Sequence, residues 1–285
     1  MIRKINLTDL IFLIFLFLTG LVIILGESKT EHFSTLIAVR LIAFVIIFTL
    51  VKLDTFYKNK IISFVRQFYP LLFTAYFYGE TGYYNNIFFA DLDGLFIQLE
   101  QSIFGFQPSL LFSLKFDSFW FNELMFFFYF SYYLIVIVFP LIVYFKNRDE
   151  FERLFFIIIF SFYTYYLIFV IFPVVGPQFY FPEQQAGISH PGIFGKMVKF
   201  FQAVGETPTG AFPSSHVGLS WIILFASAKI NRKLFNVILP LAILICFSTV
   251  YIKAHYAVDI FAGVFSAILL YYLGNKIYDK YRIFQ

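Results

Sequence analysis

Residues 234–274 read LFNVILPLAILICFSTVYIKAHYAVDIFAGVFSAILLYYLG. Two apolar runs, 234–252 and 255–274, each have about the ~20 residues needed to cross the hydrocarbon of a bilayer. They are joined by Ser248-Thr249-Val250-Tyr251-Ile252-Lys253-Ala254-His255-Tyr256-Ala257-Val258-Asp259. Ionisable side chains are expensive at membrane depth, so a lysine, a histidine and an aspartate at such a joint mark a candidate functional site. A second cluster, Gly210-Ala211-Phe212-Pro213-Ser214-Ser215-His216, opens the preceding apolar run.

The rest of the chain agrees with a membrane setting. Of 285 residues, 60% are hydrophobic and 13% charged, with 45 phenylalanines and a mean hydropathy of +0.81. That composition lies outside the soluble globular range. The net charge of +4 carries no strongly basic run, and no nucleic-acid partner is expected. Cys246 is the one cysteine, so an intrachain disulfide is impossible. Spans are expected at 8–26, 34–53, 61–79, 118–145, 154–175, 214–229, 234–252 and 255–274. The first follows Arg3 and Lys4 and is read as a retained span, being too long for a signal core and lacking a small-x-small cleavage site. The third carries Arg66, Gln67 and Pro70, which weakens it as a span.

Between the third and fourth spans, Leu92, Leu95, Phe96, Leu99 and Ile103 recur at helical spacing with Asp91, Asp93 and Glu100 among them. That pattern predicts an interfacial amphipathic helix. The loop 176–213 is read as the longest irregular segment. Lysines and arginines set the orientation. With the N-terminus inside, fourteen lie in cytoplasmic segments and five (Lys29, Lys115, Lys196, Lys199 and Lys253) outside, with Arg40 and Arg66 inside spans. Both termini are therefore expected in the cytoplasm, and both polar clusters on the extracytoplasmic face, periplasmic or lumenal.

His255 and Asp259, four apart, share a helix face. The carboxylate can accept from one imidazole nitrogen and leave the other free to attack phosphorus. Pro213-Ser214-Ser215 has the form of a helix start, whose unpaired N–H groups favour a phosphate. His216 beside it can protonate a leaving oxygen, and Lys253 is the nearest cation for the non-bridging oxygens. A His/Asp pair at this spacing can also be a simple helix contact. Zinc binding by the histidines lacks a supporting H-E-x-x-H or cysteine pair, so neither metal nor cofactor is expected.

Ala211-Phe212-Pro213-Ser214-Ser215-His216 and Ser248-x6-His255-x3-Asp259 resemble two signature motifs of the type-2 phosphatidic acid phosphatase superfamily. The text around Ser248 and His255 is most similar to the branch that includes inositol phosphorylceramide synthases, as is Asp91 to Pro108. The resemblance covers about residues 90–275. It implies an all-α polytopic membrane helix bundle, with a six-helix phosphatase-type core plus extra N-terminal spans. It implies His255 as nucleophile, Asp259 as its orienting partner, His216 as acid on the leaving group, and Gly210, Ser214 and Ser215 near the phosphate. The superfamily's K-x6-R-P motif has no match, and Thr249 stands where an arginine is usual, so Thr249 joins Lys253 among the expected phosphate contacts. Lys196, Lys199 or Arg40 would supplement them.

The expected organisation is N-terminal transmembrane helices at 1–60, a further span or membrane-embedded helix plus the amphipathic segment at 61–117, and a catalytic transmembrane core at 118–285. The expected function is metal-independent lipid phosphatase or phosphotransferase chemistry on a phospholipid or lipid phosphate in the bilayer, through a phosphohistidine. The acceptor is water or a lipid alcohol. Two other classes compete. Asp91-x-Asp93 could serve a polyprenyl-phosphate-dependent glycosyltransferase, or the chain could be a non-catalytic lipid transporter or scaffold.

Overall fold

Short polar side chains set where five of the helices begin. Asn6, Asn59, Asn147, Ser214 and Asn231 each accept a hydrogen bond from a backbone N–H in the following first turn, which satisfies donors that a helix start leaves unpaired. The computed structural model describes residues 5–30, 32–183, 188 and 192–283; Arg3 and Lys4, which flank the first expected span, lie outside them. Among the described residues there are twelve α-helices and no strand. They are α1 (Leu7–Leu25), α2 (Phe33–Tyr57), α3 (Lys60–Thr81), α4 (Asp93–Phe104), α5 (Pro108–Lys115), α6 (Phe119–Lys146), α7 (Arg148–Ile171), α8 (Pro177–Tyr180), α9 (Ile193–Gly205), α10 (Ser215–Ile230), α11 (Arg232–Tyr251) and α12 (Ala257–Ile283).

Six of these, α1, α2, α6, α7, α11 and α12, are long and apolar enough to cross a membrane. The chain is a multi-pass membrane protein. The other two expected spans are helices as well. α10 has 16 residues, and α3 is interrupted by polar residues and by Pro70. The segment read as amphipathic contains α4, in which Asp93 and Glu100 are buried and Leu95, Leu99 and Ile103 are exposed. The loop 176–213 is less irregular than its sequence suggests, because it contains α8 and the 13-residue α9. Gly192 before α9, Gly195 within it and Gly205 at its end obscure this helix in the sequence.

α10 lies at the centre, in contact with α6, α7, α11 and α12. Its Val217, Leu219, Ile222 and Ile223 are completely buried. Among lipid tails it is close packing, rather than escape from water, that holds helices together. Aromatic rings supply much of that packing. Phe15 of α1 stacks on Tyr163 of α7 with centroids 4.4 Å apart, a contact type worth about 0.5–1.5 kcal/mol.

Charges inside the N-terminal helices are neutralised in pairs. Arg40 of α2 binds Glu80 of α3 through two hydrogen bonds of 3.1 and 2.8 Å. Arg66 of α3 bridges Asp9 of α1 and Asp54 of α2 at 2.9 and 2.7 Å. Arg66 therefore counts toward helix packing, which explains how α3 tolerates it.

Candidate active site

Three loops meet at one end of the bundle. Residues 173–176 follow α7, residues 210–214 precede α10, and residues 252–256 join α11 to α12. Backbone bonds stitch them together: Ala211 N donates to Val174 O at 3.0 Å, Gln178 N to Lys253 O at 2.9 Å, and Ser214 N to Asp259 O at 3.2 Å. Gly210 turns the second loop with φ of +79°, and a Cβ there would lie 2.9 Å from the Tyr78 ring. Both steric facts favour glycine at that position. α12 rests on the start of α10 at Gly263, where an added Cβ would lie 2.8 Å from the Ser214 carbonyl oxygen.

This stitching brings His216 and His255 together across 39 residues of sequence. His255 Nε2 lies 3.3 Å from His216 Nδ1. His255 Nδ1 lies 2.7 Å from the Ala211 carbonyl oxygen. A carbonyl only accepts, so Nδ1 carries the proton and Nε2 presents its lone pair toward His216. The sequence assigned this orienting role to Asp259. The geometry gives the direct bond to Ala211 instead, and the Asp259 carboxylate sits 3.7 Å from Nδ1. Asp259 accepts from the Tyr256 N–H at 2.8 Å, so its hydrogen bond fixes the loop immediately after His255.

The other expected contacts separate into two groups. Ser215 and His216 line a cavity of about 530 Å³ that runs between α3, α6 and α7, past Phe68, Leu71 and Val136. The His216 ring packs against Tyr129 and Tyr132, with centroids 4.8 and 4.3 Å away. Gly210, Ser214 and Thr249 shape the backbone. The Ser214 hydroxyl caps α10 by accepting from Val217 N at 3.3 Å. Thr249 is fully buried, and its hydroxyl donates to Cys246 O at 3.1 Å within α11.

Lys253 is buried with a left-handed backbone, φ +66°. Burial pulls its ammonium below the ordinary lysine range, against the pull of Asp117. Lys196 and Lys199 are exposed on α9, and the Arg40 guanidinium is engaged by Glu80. Asp91 and Asp93 take separate partners. Asp91 accepts from Asn86 at 2.8 Å, whereas Asp93 is buried and accepts from backbone N–H groups. Among the described residues, no three His, Cys, Asp or Glu side chains gather as metal ligands would.

Glu206 has no counterpart among the residues singled out in the sequence. It lines the same cavity as His216. Its carboxylate accepts from the Tyr129 hydroxyl at 2.9 Å and from the Gln178 amide at 2.7 Å, and Gln202 donates to Gln178 at 3.0 Å. Burial raises the carboxyl above its usual range, while these donors and the nearby His255 ring pull it back. A single acid in a loop has no periodicity to announce it. Ala211 was equally silent, because its contribution is a carbonyl.

A protein-family model described as the PAP2 superfamily matches residues 95–273, which is more than half of the chain and includes both histidines. Comparison with curated proteins finds no match, and comparison with solved structures finds none either. The matched segment, with both sequence motifs inside it, identifies the chain: it belongs to the PAP2 superfamily.

Proposed function

We propose that this protein is a membrane lipid phosphotransferase or phosphatase of the inositol phosphorylceramide synthase-like branch, working through a phosphohistidine at His255. One observation carries the reading. The unprotonated imidazole nitrogen of His255 faces a second histidine at 3.3 Å, and that second histidine lines an apolar cavity. The cavity suits an acyl chain, since it is lined mainly by Phe, Leu, Val, Ile and Tyr.

In the first step His255 Nε2 attacks phosphorus. The P–N bond forms, the P–O bond to the lipid alcohol breaks, and His216 gives its proton to the departing oxygen. In the second step a water or lipid hydroxyl attacks phosphorus, its proton returns to His216, and the P–N bond breaks. His216 stands between the cavity and His255, which is 3% exposed. Productive binding therefore parts the two rings, with phosphorus seated between them.

Phosphate oxygens would meet the N–H groups at the start of α10, beside Ser214 and Ser215. Lys253 is the candidate cation, and Thr249 and Gly210 support the loop geometry. Glu206, which lines the cavity, offers an acceptor to a headgroup hydroxyl, which favours a donor that keeps its headgroup during transfer. Asp259 acts through the loop that carries His255. This chemistry calls for no cofactor.

The loop charge bias supports cytoplasmic termini and an extracytoplasmic site; the functional division proposed with them makes residues 118–285 the catalytic core. A cysteine in place of Lys199 is expected to react with an impermeant thiol reagent in intact cells, and one in place of Asn231 to resist it; the reverse pattern would invert the topology. The activity itself is tested by incubating purified protein with a panel of phospholipids, with and without a ceramide or diacylglycerol acceptor, and weighing the products. Activity that disappears with chelator and returns with zinc or magnesium would argue for another mechanism.

A further inference from the structure

α4 carries two acids, Asp93 and Glu100, seven residues apart and both fully buried. Two turns of helix place them on one face. Asp93 accepts from Val175 N at 2.8 Å, from Gly176 N at 2.9 Å and from the Tyr256 hydroxyl at 2.8 Å. Glu100 Oε1 accepts from the backbone N–H groups of Ala257 and Val258. Between them Phe96 stacks on Tyr256 at 5.9 Å and packs against Phe212 at 4.8 Å. Leu92 N closes the set by donating to Pro173 O at 2.8 Å.

These contacts converge on one place. Tyr256, Ala257 and Val258 are the three residues after His255, and Phe212 is the residue after Ala211. α4 thus grips the chain beside both ends of the hydrogen bond that orients His255. Ala257 and Val258 are the first residues of α12, so their N–H groups have no partner within the helix. A carboxylate there both accepts them and complements the positive end of the helix.

We propose that Glu100 and Asp93 are positioning residues for His255: they fix the start of α12 and Tyr256, and so keep Nδ1 on the Ala211 carbonyl and Nε2 aimed at His216. The proposal rests on the reading of His255 as nucleophile. Loss of Glu100 frees two N–H groups at the start of α12, and His255 lies only two residues upstream. A displacement on the order of 1 Å at a reacting group costs about 100-fold in rate.

The test uses the full-length protein in phospholipid nanodiscs, with phosphatidic acid, and phosphatidylinositol plus ceramide, as the lipid probes and nitrophenyl phosphate as the activated one. Histidine labelled with nitrogen-15 reports the His255 tautomer independently of turnover. Glu100→Ala is expected to lower kcat by about 100-fold with KM changed by less than about threefold, and to replace the Nδ1–H tautomer signal by a mixture. Glu100→Gln keeps an oxygen to accept the two N–H groups and is expected to stay within about threefold of the parent protein with an intact tautomer signal. Tyr256→Phe, which leaves both carboxylates in place, is expected to cost roughly fivefold.

Normal kcat and an unchanged tautomer in Glu100→Ala and Tyr256→Phe would overturn the proposal. So would a Glu100→Gln protein as impaired as Glu100→Ala. If Glu100→Ala fails to fold, the other two variants decide the matter. If the parent protein turns over none of these probes, the nucleophile reading fails by itself, and an unchanged tautomer in the variants would still refute the positioning role.

Discussion

The N-terminal helices and the loop cluster around His255 both bury ionisable side chains, and they do it in opposite ways. In α1–α3 every buried acid or base named above meets an opposite charge: Arg40 meets Glu80, and Arg66 meets Asp9 and Asp54. Around His255 the acids meet neutral donors. Asp93 and Glu100 take backbone N–H groups, Asp259 takes the Tyr256 N–H, and Glu206 takes a phenol and an amide. Mutual pairing cancels charge and leaves little for a ligand to change. Acids held by neutral dipoles keep their fields, and groups placed among them remain able to exchange protons or bind new charge. The contrast separates charges that hold helices from charges that surround chemistry.

The strongest way to break this comparison is at the nucleophile. His255→Ala is expected to lower lipid turnover by about 10⁴-fold or more and to abolish any acid-labile phosphoryl adduct, with the fold retained. Near-normal activity would remove the functional half of the contrast. His216→Ala should slow adduct formation by about 10²–10⁴-fold with a lipid alkoxide leaving group. Partial recovery with nitrophenyl phosphate is expected for His216→Ala alone, because nitrophenolate leaves without a proton. Recovery in His255→Ala would reverse the two roles.

The structural half is tested at the buried ion pair. Glu80→Ala leaves the Arg40 guanidinium uncompensated and is expected to destabilise the protein by about 3–5 kcal/mol, read from thermal unfolding in detergent. Arg40→Met combined with Glu80→Met is expected to recover most of that loss, since it removes both charges together. Specific activity per folded molecule should stay within about twofold. A large, selective loss of activity in the double variant would mean that Arg40 serves the phosphate after all.

A smaller effect sharpens the line between the two regions. Burial pushes the Glu100 carboxyl up to about 7 from 4.5, despite the N–H donors that favour its charged form. The folded protein then holds a proton at Glu100 over a range where the unfolded chain has released it. This contribution to stability is full below about pH 4.5 and is lost as the pH rises through 7. Glu100→Gln should flatten that slope, raising Tm at pH 8 by about 2–4 °C relative to the parent and changing it little at pH 4.5. An unaltered slope would show that Glu100 is already ionised in the fold.

The helices were legible in the sequence because hydrocarbon demands long apolar runs, and each of the eight expected runs is a helix. The exceptions have physical causes. α9 is hard to read because it is short and has Gly192 before it, Gly195 inside it and Gly205 at its end, and α3 is ambiguous because nothing in the sequence says that Asp9 and Asp54 will meet Arg66. At the site, the two histidines were legible as rare residues at the ends of apolar runs. The Ala211 carbonyl was not, because every residue has one and only the folded loop selects it. Asp91-x-Asp93 has the spacing of a metal-binding pair in the sequence, whereas in the fold Asp93 accepts from backbone N–H groups and Asp91 accepts from Asn86.

Gly263 has a consequence for how the two imidazoles are spaced. There α12 lies directly on the backbone of α10, with the Ser214 carbonyl oxygen and the Val217 side chain where a Cβ would go. The 3.3 Å between Nε2 and Nδ1 is therefore set by a helix crossing as much as by the loops. A methyl group at 263 would act as a spacer, lifting one helix from the other while leaving both rings, their hydrogen bonds and the cavity lining chemically intact. The gap into which phosphorus must fit can thus be adjusted from a position that has no side chain and lies outside both motifs.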